Sequence, residues 1–583
     1  MAIPRLAQLV MQLRNAEDED REQNGSAESL YKVNEQPLGT ASKIRIITIG
    51  VGASGLNVIR TLRKQLTNYE HVIYEKTLKL AERGTRIDTQ AANVTSHHIT
   101  TNSRGSQTMD GAVSSPPLKR LKAISVTFVG AYWNENSGRW QVTIKNLKTG
   151  NSFEDHCEFL LNASGILKAD SRDHASHWKW PEIPGLHDFS GTLVAVIGNG
   201  SSGVQIVPEI QNGAKQLVHF IKEATWIVPP RIQSLAMSQA GGILEQIELD
   251  EHERFTPAQI ERFKADPQLY RTFVKAIEIQ VNSNFSIVMK DSETNKATTE
   301  AVIRYMRAAL KDDEKLTKAL IPSFPLGCRR MTPGVGYLES LLQPNVRVIS
   351  DPITRITSTG LITESGETIE VDAIVCATGF NVSFCPRFPI VGRSGNLQDI
   401  WTKTLPRSYM SCAVPDLPNY FASICSSVYS SCPNSRISSL LTLKMVFLGL
   451  NAPIGHGSVF TITELLAHYI SNVIRKCQTE RIKAVAPSKD AVNELYEHTQ
   501  AFMPRTAWAG PCASWFKNGT ETSPVTALHP GSRIHFFHTL ERFRGEDWDY
   551  VYHTRKNRFS YLGNGISTKE IDGSDSTWYL NQD

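Results

Sequence analysis

Two glycine-rich loops of the form G-x-G-x-x-G, each set between an apolar strand and a helix, constrain this chain more than any other feature. The first, Gly50-Val51-Gly52-Ala53-Ser54-Gly55, follows the apolar run Ile44-Arg45-Ile46-Ile47-Thr48-Ile49. The second, Gly198-Asn199-Gly200-Ser201-Ser202-Gly203, follows Leu193-Val194-Ala195-Val196-Ile197. In this pattern the first glycine makes the tight turn, the second lets backbone approach a pyrophosphate, and the third packs helix on strand. The following helix turns free N–H groups and the positive end of its dipole toward the phosphates. One such loop is a weak signal. Two in the same context predict two dinucleotides on one protein, the layout of a flavoprotein reduced by a nicotinamide.

The residues after each loop refine this. His71-Val72-Ile73-Tyr74 reads as a strand ending at Glu75, an acid 20 residues past Gly55. That offset fits the ribose hydroxyls of a dinucleotide. In the second unit the strand Leu217–Ile221 is followed by Lys222. A cation there suits the 2′-phosphate of NADP, whereas Glu223 beside it is an unfavourable neighbour, so NADP over NAD is a preference only. The candidate cofactor residues are therefore Gly50, Gly52, Ala53, Ser54, Gly55 and Glu75 in one unit. In the other they are Gly198, Gly200, Ser201, Ser202, Gly203 and Lys222.

A chain of 583 residues is long enough for two or three domains with large cores. Its net charge of +4 is too small and too dispersed to argue for nucleic acid. The nine cysteines show no metal-ligand spacing, and we expect no metal and buried free thiols in a reducing compartment. Leu440–Leu450 is the longest apolar run, too short for a membrane span and interrupted by Lys444. The acids Glu17 to Asp20 leave no room for a signal peptide, so the cytoplasm is expected. Further strands are predicted at 123–130, 140–146, 159–165, 346–349 and 370–377, and helices over roughly 240–320 and 461–476. The oligomeric state stays open.

At this point the chain resembles a known family, the class B flavin monooxygenases, in the Baeyer–Villiger form found in fungi. The resemblance is carried, in order, by Gly50–Gly55, Tyr74-Glu75-Lys76, Gly130–Glu135, Trp180–Leu186, Val196–Pro208, Phe324–Tyr337, Ala377–Phe380, Asn451–Ser458 and Phe559–Gly565. It implies an α/β fold with two Rossmann-like dinucleotide-binding domains, the NADPH domain inserted in the FAD domain. The expected limits are a 1–40 extension, FAD domain 41–188, NADPH domain with helical insert 189–370, and the rest of the FAD domain with the C-terminal region 371–583. The resemblance further implies that NADPH reduces FAD, that reduced flavin takes up O2, and that a small-molecule ketone becomes an ester or lactone, in fungal secondary metabolism. The protein would hold the cofactors and exclude water. Arg330, in Phe324-Pro325-Leu326-Gly327-Cys328-Arg329-Arg330, falls at the family's active-site arginine. Its guanidinium stays charged and can hydrogen-bond flavin and nicotinamide. Arg329 falls at the contact to the NADP phosphate, and Thr378 and Gly379 in the turn after 370–377 are cofactor-binding candidates.

Three stretches depart from the family. The fingerprint F-x-G-x-x-x-H-x-x-x-W keeps Phe189 and Gly191, but Thr192 and Leu193 lead straight into the strand without the His and Trp. Residues 77–122 are polar and aperiodic where the family carries G-G-T-W…R-Y-P-G-x-x-C-D-x-P-S-H, which wraps the flavin and supplies an Asp to the arginine. Back-translated with degenerate codons and read from each third base, Leu80–Gly84 permits Gly-Gly-Thr-Trp. Ile87–Ile99 likewise permits Arg-Tyr-Pro-Gly-Cys-Lys-Cys-Asp-Ile-Pro-Ser-His. The expectation is that residues 78–117 are a frame-shifted reading of ordinary family sequence, which sequencing the transcript decides. Ser426–Phe447 is an insertion, a retained intron or a Ser-rich loop. The alternatives to ketone oxygenation are N- or S-oxygenation by a related flavoprotein, and an inactive pseudoenzyme if the altered segments are real. A disulfide reductase would need a redox Cys pair after Glu75, and no C-x-x-C or C-x4-C follows it.

Overall fold

The computed structural model describes residues 33–76, 126–165, 189–229, 242–243, 247, 255–381, 383–422, 450–455, 459–554 and 557–580. The readings of the first 32 residues, of 77–122, of Trp180–Leu186 and of Ser426–Phe447 lie outside the described residues. The chain divides into two compact units. The larger comprises 43–475 and 484–550; the smaller comprises 1–42, 476–483 and 551–583.

The larger unit begins with β1 (Ile44–Ile49), α1 (Ala53–Gln65) and β2 (Tyr69–Tyr74). The strands β3 (Val126–Asn134), β4 (Arg139–Asn146) and β5 (Ser152–Cys157) then form an antiparallel meander, and β6 (Phe159–Asn162) closes the motif. β1 runs parallel between β2 and β6, with Ile49 level with Tyr74 and Asn162. Its near-continuous apolar sequence is what a parallel strand covered on both faces requires, and Ile46 and Ile47 are fully buried.

A second copy of the motif follows. It comprises β7 (Leu193–Ile197), α2 (Ser201–Gln211) and β8 (Gln216–Phe220). After β9 (Ile227–Val228) comes a helical insert, α3 (Pro257–Ala265), α4 (Pro267–Ser283), α5 (Glu293–Ala309) and α6 (Glu314–Leu320). The start of α3 is fixed by a Thr256–Gln259 capping box with proline in the first turn. Then come β10 (Thr332–Pro333), β11 (Val346–Ile349), a meander of β12 (Ile353–Ile356), β13 (Gly360–Thr363) and β14 (Thr368–Glu370), and β15 (Ala373–Cys376). Val194, Val196 and Leu217 pack on Val204 and Val207 of α2, and Phe189 joins that core. Each such burial contributes about 1.5–3 kcal/mol.

The first sheet has the order β18-β6-β1-β2, where β18 is Tyr420–Ala422, and the second β11-β8-β7-β15. The first sheet is thus completed by a strand that comes after the whole second sheet, so the second dinucleotide motif is an insertion in the first. The single strand expected over 370–377 is two. Glu370 ends β14, while Asp372 accepts the Leu193 N–H at 2.8 Å and steers β15 alongside β7. β15, which lies after residue 370, thus pairs in the second sheet.

In the smaller unit Leu38, within the expected 1–40 extension, is tied to the end of the chain by backbone hydrogen bonds. The Leu38 N–H donates to the Ile566 carbonyl at 2.7 Å, and the Leu38 carbonyl accepts from Thr568 at 2.9 Å. Among the described residues no helix is long and apolar enough to cross a membrane. The helices α7 (Val459–Thr479), α8 (Lys489–Phe502) and α9 (Arg533–Glu541) belong to the C-terminal part of the chain.

Candidate dinucleotide seats

The first loop is built as its glycines require. Gly50 has φ 93° and its N–H donates to the Tyr74 carbonyl at 2.8 Å. A Cβ on Gly50 would lie 2.6 Å from the Ala163 carbonyl oxygen, and one on Gly55 would strike the Gly50 carbonyl. No larger residue fits either place. Gly52 caps α1 without a side-chain hydrogen bond, and Ala53 opens the helix. Ser54 is fully buried, and its hydroxyl finds no partner in the protein. Glu75 turns inward, its carboxylate accepting the Val51 N–H at 2.8 Å. Asn57 and Gln65 tie α1 to α7 through Thr463 and His468, at 2.7 and 2.6 Å.

The second loop repeats the geometry. Gly198 has φ 101°, donates to the Phe220 carbonyl at 2.9 Å, and would place a Cβ 2.5 Å from the Ala377 carbonyl oxygen. A Cβ on Gly203 would strike the Gly198 carbonyl. Gly200 caps α2 with no side-chain hydrogen bond, and a Cβ there would meet only open space. The side chains of Ser201 and Ser202, in the first turn of α2, are half-buried, and the Ser201 hydroxyl lies 3.4 Å from that of Thr332. Lys222 is exposed just beyond β8. The Asn199 amide donates to the Glu223 carbonyl at 2.8 Å, and the Glu223 carboxylate forms an ion pair with Arg329. The Arg329 guanidinium also lies over the Phe324 ring, 5.0 Å from its centroid, and burial pulls its pKa below the usual value. The structure thus gathers Gly198–Gly203, Arg329 and the residues just after β8 at one end of the second sheet. Arg330 sits in the same turn, two residues before Thr332.

These residues fit dinucleotides. The orphaned Ser54 hydroxyl, the two helix ends without side-chain caps and the open cradle over Gly200 are what a bound pyrophosphate would complete. Comparison with known proteins agrees. The chain is 32% identical over 594 residues to FAD-binding monooxygenase tazF of Aspergillus terreus, covering 95% of this chain and 97% of that one. It is 32% identical over 565 residues to FAD-binding monooxygenase stcW of Emericella nidulans, covering 90% and 85%. The chain belongs to the FAD-binding monooxygenases. No protein-family model matches it. The monooxygenase also shares its fold with cyclohexanone monooxygenase from Rhodococcus sp. Phi1 bound to NADP+. The TM-score is 0.57 at 17% identity, over 88% of this chain and all of that one.

Thr378 and Gly379 of this monooxygenase follow the Ala377 carbonyl that backs Gly198, so they border the second loop. Ala163-Ser164-Gly165 borders the first loop in the same way, with φ 82° at Gly165 and 96° at Gly379. Sequence reasoning missed the backing role of Ala163 and Ala377, although the two Ala-Ser/Thr-Gly turns were there to be compared. It also missed the Glu223–Arg329 pair. The expectation of free thiols throughout is corrected, because Cys328 and Cys512 form a disulfide. Both cysteines are buried, and the bond staples the arginine turn to a segment 184 residues later. Nothing in their spacing announces it.

Proposed function

We propose that this chain is a Baeyer–Villiger monooxygenase that uses FAD, NADPH and O2 to convert a ketone of fungal secondary metabolism into an ester or lactone, and that it works in the cytoplasm. The observation that carries the reading is the duplicated seat: two loops with helix ends unclaimed by capping side chains, in a chain of this family. Gly50, Gly52, Ala53, Ser54 and Gly55 would hold the FAD pyrophosphate, and Glu75 would order the loop and reach the ribose. Gly198, Gly200, Ser201, Ser202 and Gly203 would hold NADPH, Lys222 and Arg329 would face its 2′-phosphate, and Thr378 and Gly379 would line the seat. Bound FAD, reduced by NADPH, supplies the activation of O2. Arg330 carries a permanent charge and would stabilise negative charge developing on oxygen during transfer. The surrounding core would exclude water from that charge.

The test is direct. The purified chain should carry flavin absorbance in the visible, oxidise NADPH faster when a ketone is present, and yield a product heavier by one oxygen with the mass spectrum of an ester. A colourless protein, or oxygenation of amines and sulfides with ketones untouched, would overturn the proposal.

A further inference from the structure

The second seat holds an acid at the position where a 2′-phosphate would be received. Glu223 lies just past β8, 20 residues beyond Gly203. At that offset an acid hydrogen-bonds the ribose 2′-hydroxyl of NAD, whereas an arginine accommodates the 2′-phosphate of NADP. This chain carries both, and they are paired: the Glu223 carboxylate holds Arg329. The pair is fixed from both sides. The Glu223 backbone is anchored to the phosphate loop itself by Asn199, which is 6% exposed and donates at 2.8 Å. Arg329 is held over Phe324, with its Nε buried and without a hydrogen-bond partner. The guanidinium charge is therefore already answered in the free protein. A 2′-phosphate, with a charge of about −1.5 to −2, would keep the exposed Lys222 but would have to share Arg329 with a carboxylate of its own sign. An unphosphorylated ribose would meet no such repulsion and would find an acceptor for its hydroxyl.

We propose that Glu223 determines nicotinamide specificity in this seat: by occupying Arg329 it narrows the preference for NADPH over NADH, so that NADH also serves as reductant. The inference rests on the reading that the second seat binds a nicotinamide dinucleotide. It is tested by calorimetric titration of the purified full chain with NADP+, NAD+ and 2′,5′-ADP, alongside kcat/KM for the two reduced cofactors. The wild-type chain should bind NADP+ within about tenfold of NAD+, the scale set by a half-exposed ion pair whose charges largely cancel. Glu223→Gln should tighten NADP+ and 2′,5′-ADP, weaken NAD+ and shift the ratio at least about fivefold toward the phosphorylated cofactor. Glu223→Asp should stay near wild type, and Arg329→Gln should bring the ratio toward one. A merely structural role for Glu223 would move both affinities together, so an unchanged ratio in Glu223→Gln at wild-type melting temperature overturns the proposal. So does a wild-type preference for NADP+ above that limit of about tenfold. If neither dinucleotide binds the wild-type chain, the nicotinamide reading of the seat fails, and this inference with it.

Discussion

The two halves of the larger unit build a glycine loop ahead of a helix end with the same backbone and different side chains. In both, the first glycine is left-handed and backed by an alanine carbonyl, and the third would strike the first if it had a Cβ. Outside the loop they diverge. The first seat is braced by Glu75 folding back onto its own loop and by hydrogen bonds from α1 to α7. The second turns its acid outward to Arg329, and its arginine turn is stapled by the Cys328–Cys512 bond. Backbone geometry is repeated because sterics allow little else, and under the proposed function it places the phosphates. Under the same proposal the side chains around it decide which dinucleotide and how firmly the site is held.

The largest effect should come from breaking the staple, the brace found only in the second half among the described residues. Cys512→Ser should lower stability by about 4 kcal/mol, since the bond closes a loop with 184 residues of separation and so restrains the unfolded chain strongly. Urea unfolding with and without reductant checks it. Wild type in reductant should match the variant, and NADP+ binding should weaken more than flavin retention.

Next comes the shared backbone. Gly55→Ala and Gly203→Ala each force a Cβ against a carbonyl of their own loop and should cost about 3 kcal/mol by overpacking. Each should lower affinity for its own dinucleotide. Gly200→Ala is the control: its Cβ enters open space, so the fold should hold while NADP+ binding weakens where the pyrophosphate would approach. Thermal melting with NADP+ titration separates the two outcomes. Equal binding losses in Gly200→Ala and Gly203→Ala, both with the fold lost, would break the comparison.

Acid should weaken both halves, because burial holds a strand histidine below its usual pKa in each, His71 of β2 at about 3 and His219 of β8. His219 in β8 is fully buried, bonded to the Val196 carbonyl at 3.2 Å and the Tyr337 hydroxyl at 2.9 Å. Burial lowers its pKa from 6.5 to about 4. The unfolded chain therefore takes the proton first as pH falls. The contribution is present in full above pH 6.5, is lost progressively toward pH 4, and falls no further below that. The loss should reach on the order of 2–3 kcal/mol. Urea midpoints between pH 7 and pH 4 check it, and His219→Gln should remove the His219 share of the slope while leaving that of His71.

How much of this could be read from the sequence follows from what each feature depends on. The loops, the strands before them and the insertion of one motif in the other were legible, because glycine spacing and apolar runs are local signals of backbone sterics. Glu75 and Lys222 were legible as positions, since offset along a βαβ unit maps onto distance. Where a carboxylate points was not: Glu75 and Glu223 stand at the same offset from their loops, yet one turns in and the other out. Arg329, more than a hundred residues away, decides the second case. The Cys328–Cys512 bond was illegible for the same reason, as was the split of 370–377, set by Asp372 reaching β7 rather than by any turn residue.

The smallest effect sharpens the contrast most. Glu75→Gln keeps an acceptor for the Val51 N–H but replaces a charge-assisted hydrogen bond by a neutral one, which should cost about 1 kcal/mol. The first loop should loosen and the purified protein lose part of its flavin on dialysis, measured as the ratio of visible to ultraviolet absorbance. Glu223→Gln, the same change at the same offset in the other half, should act with the opposite sign on its own cofactor, because there the carboxylate competes with the phosphate instead of bracing the loop. If both substitutions weaken their dinucleotides alike, the two acids do the same job, and the difference in their direction has no consequence for binding. If only the first does, the orientation of one side chain separates a seat that retains its cofactor from one that must exchange it at every turnover.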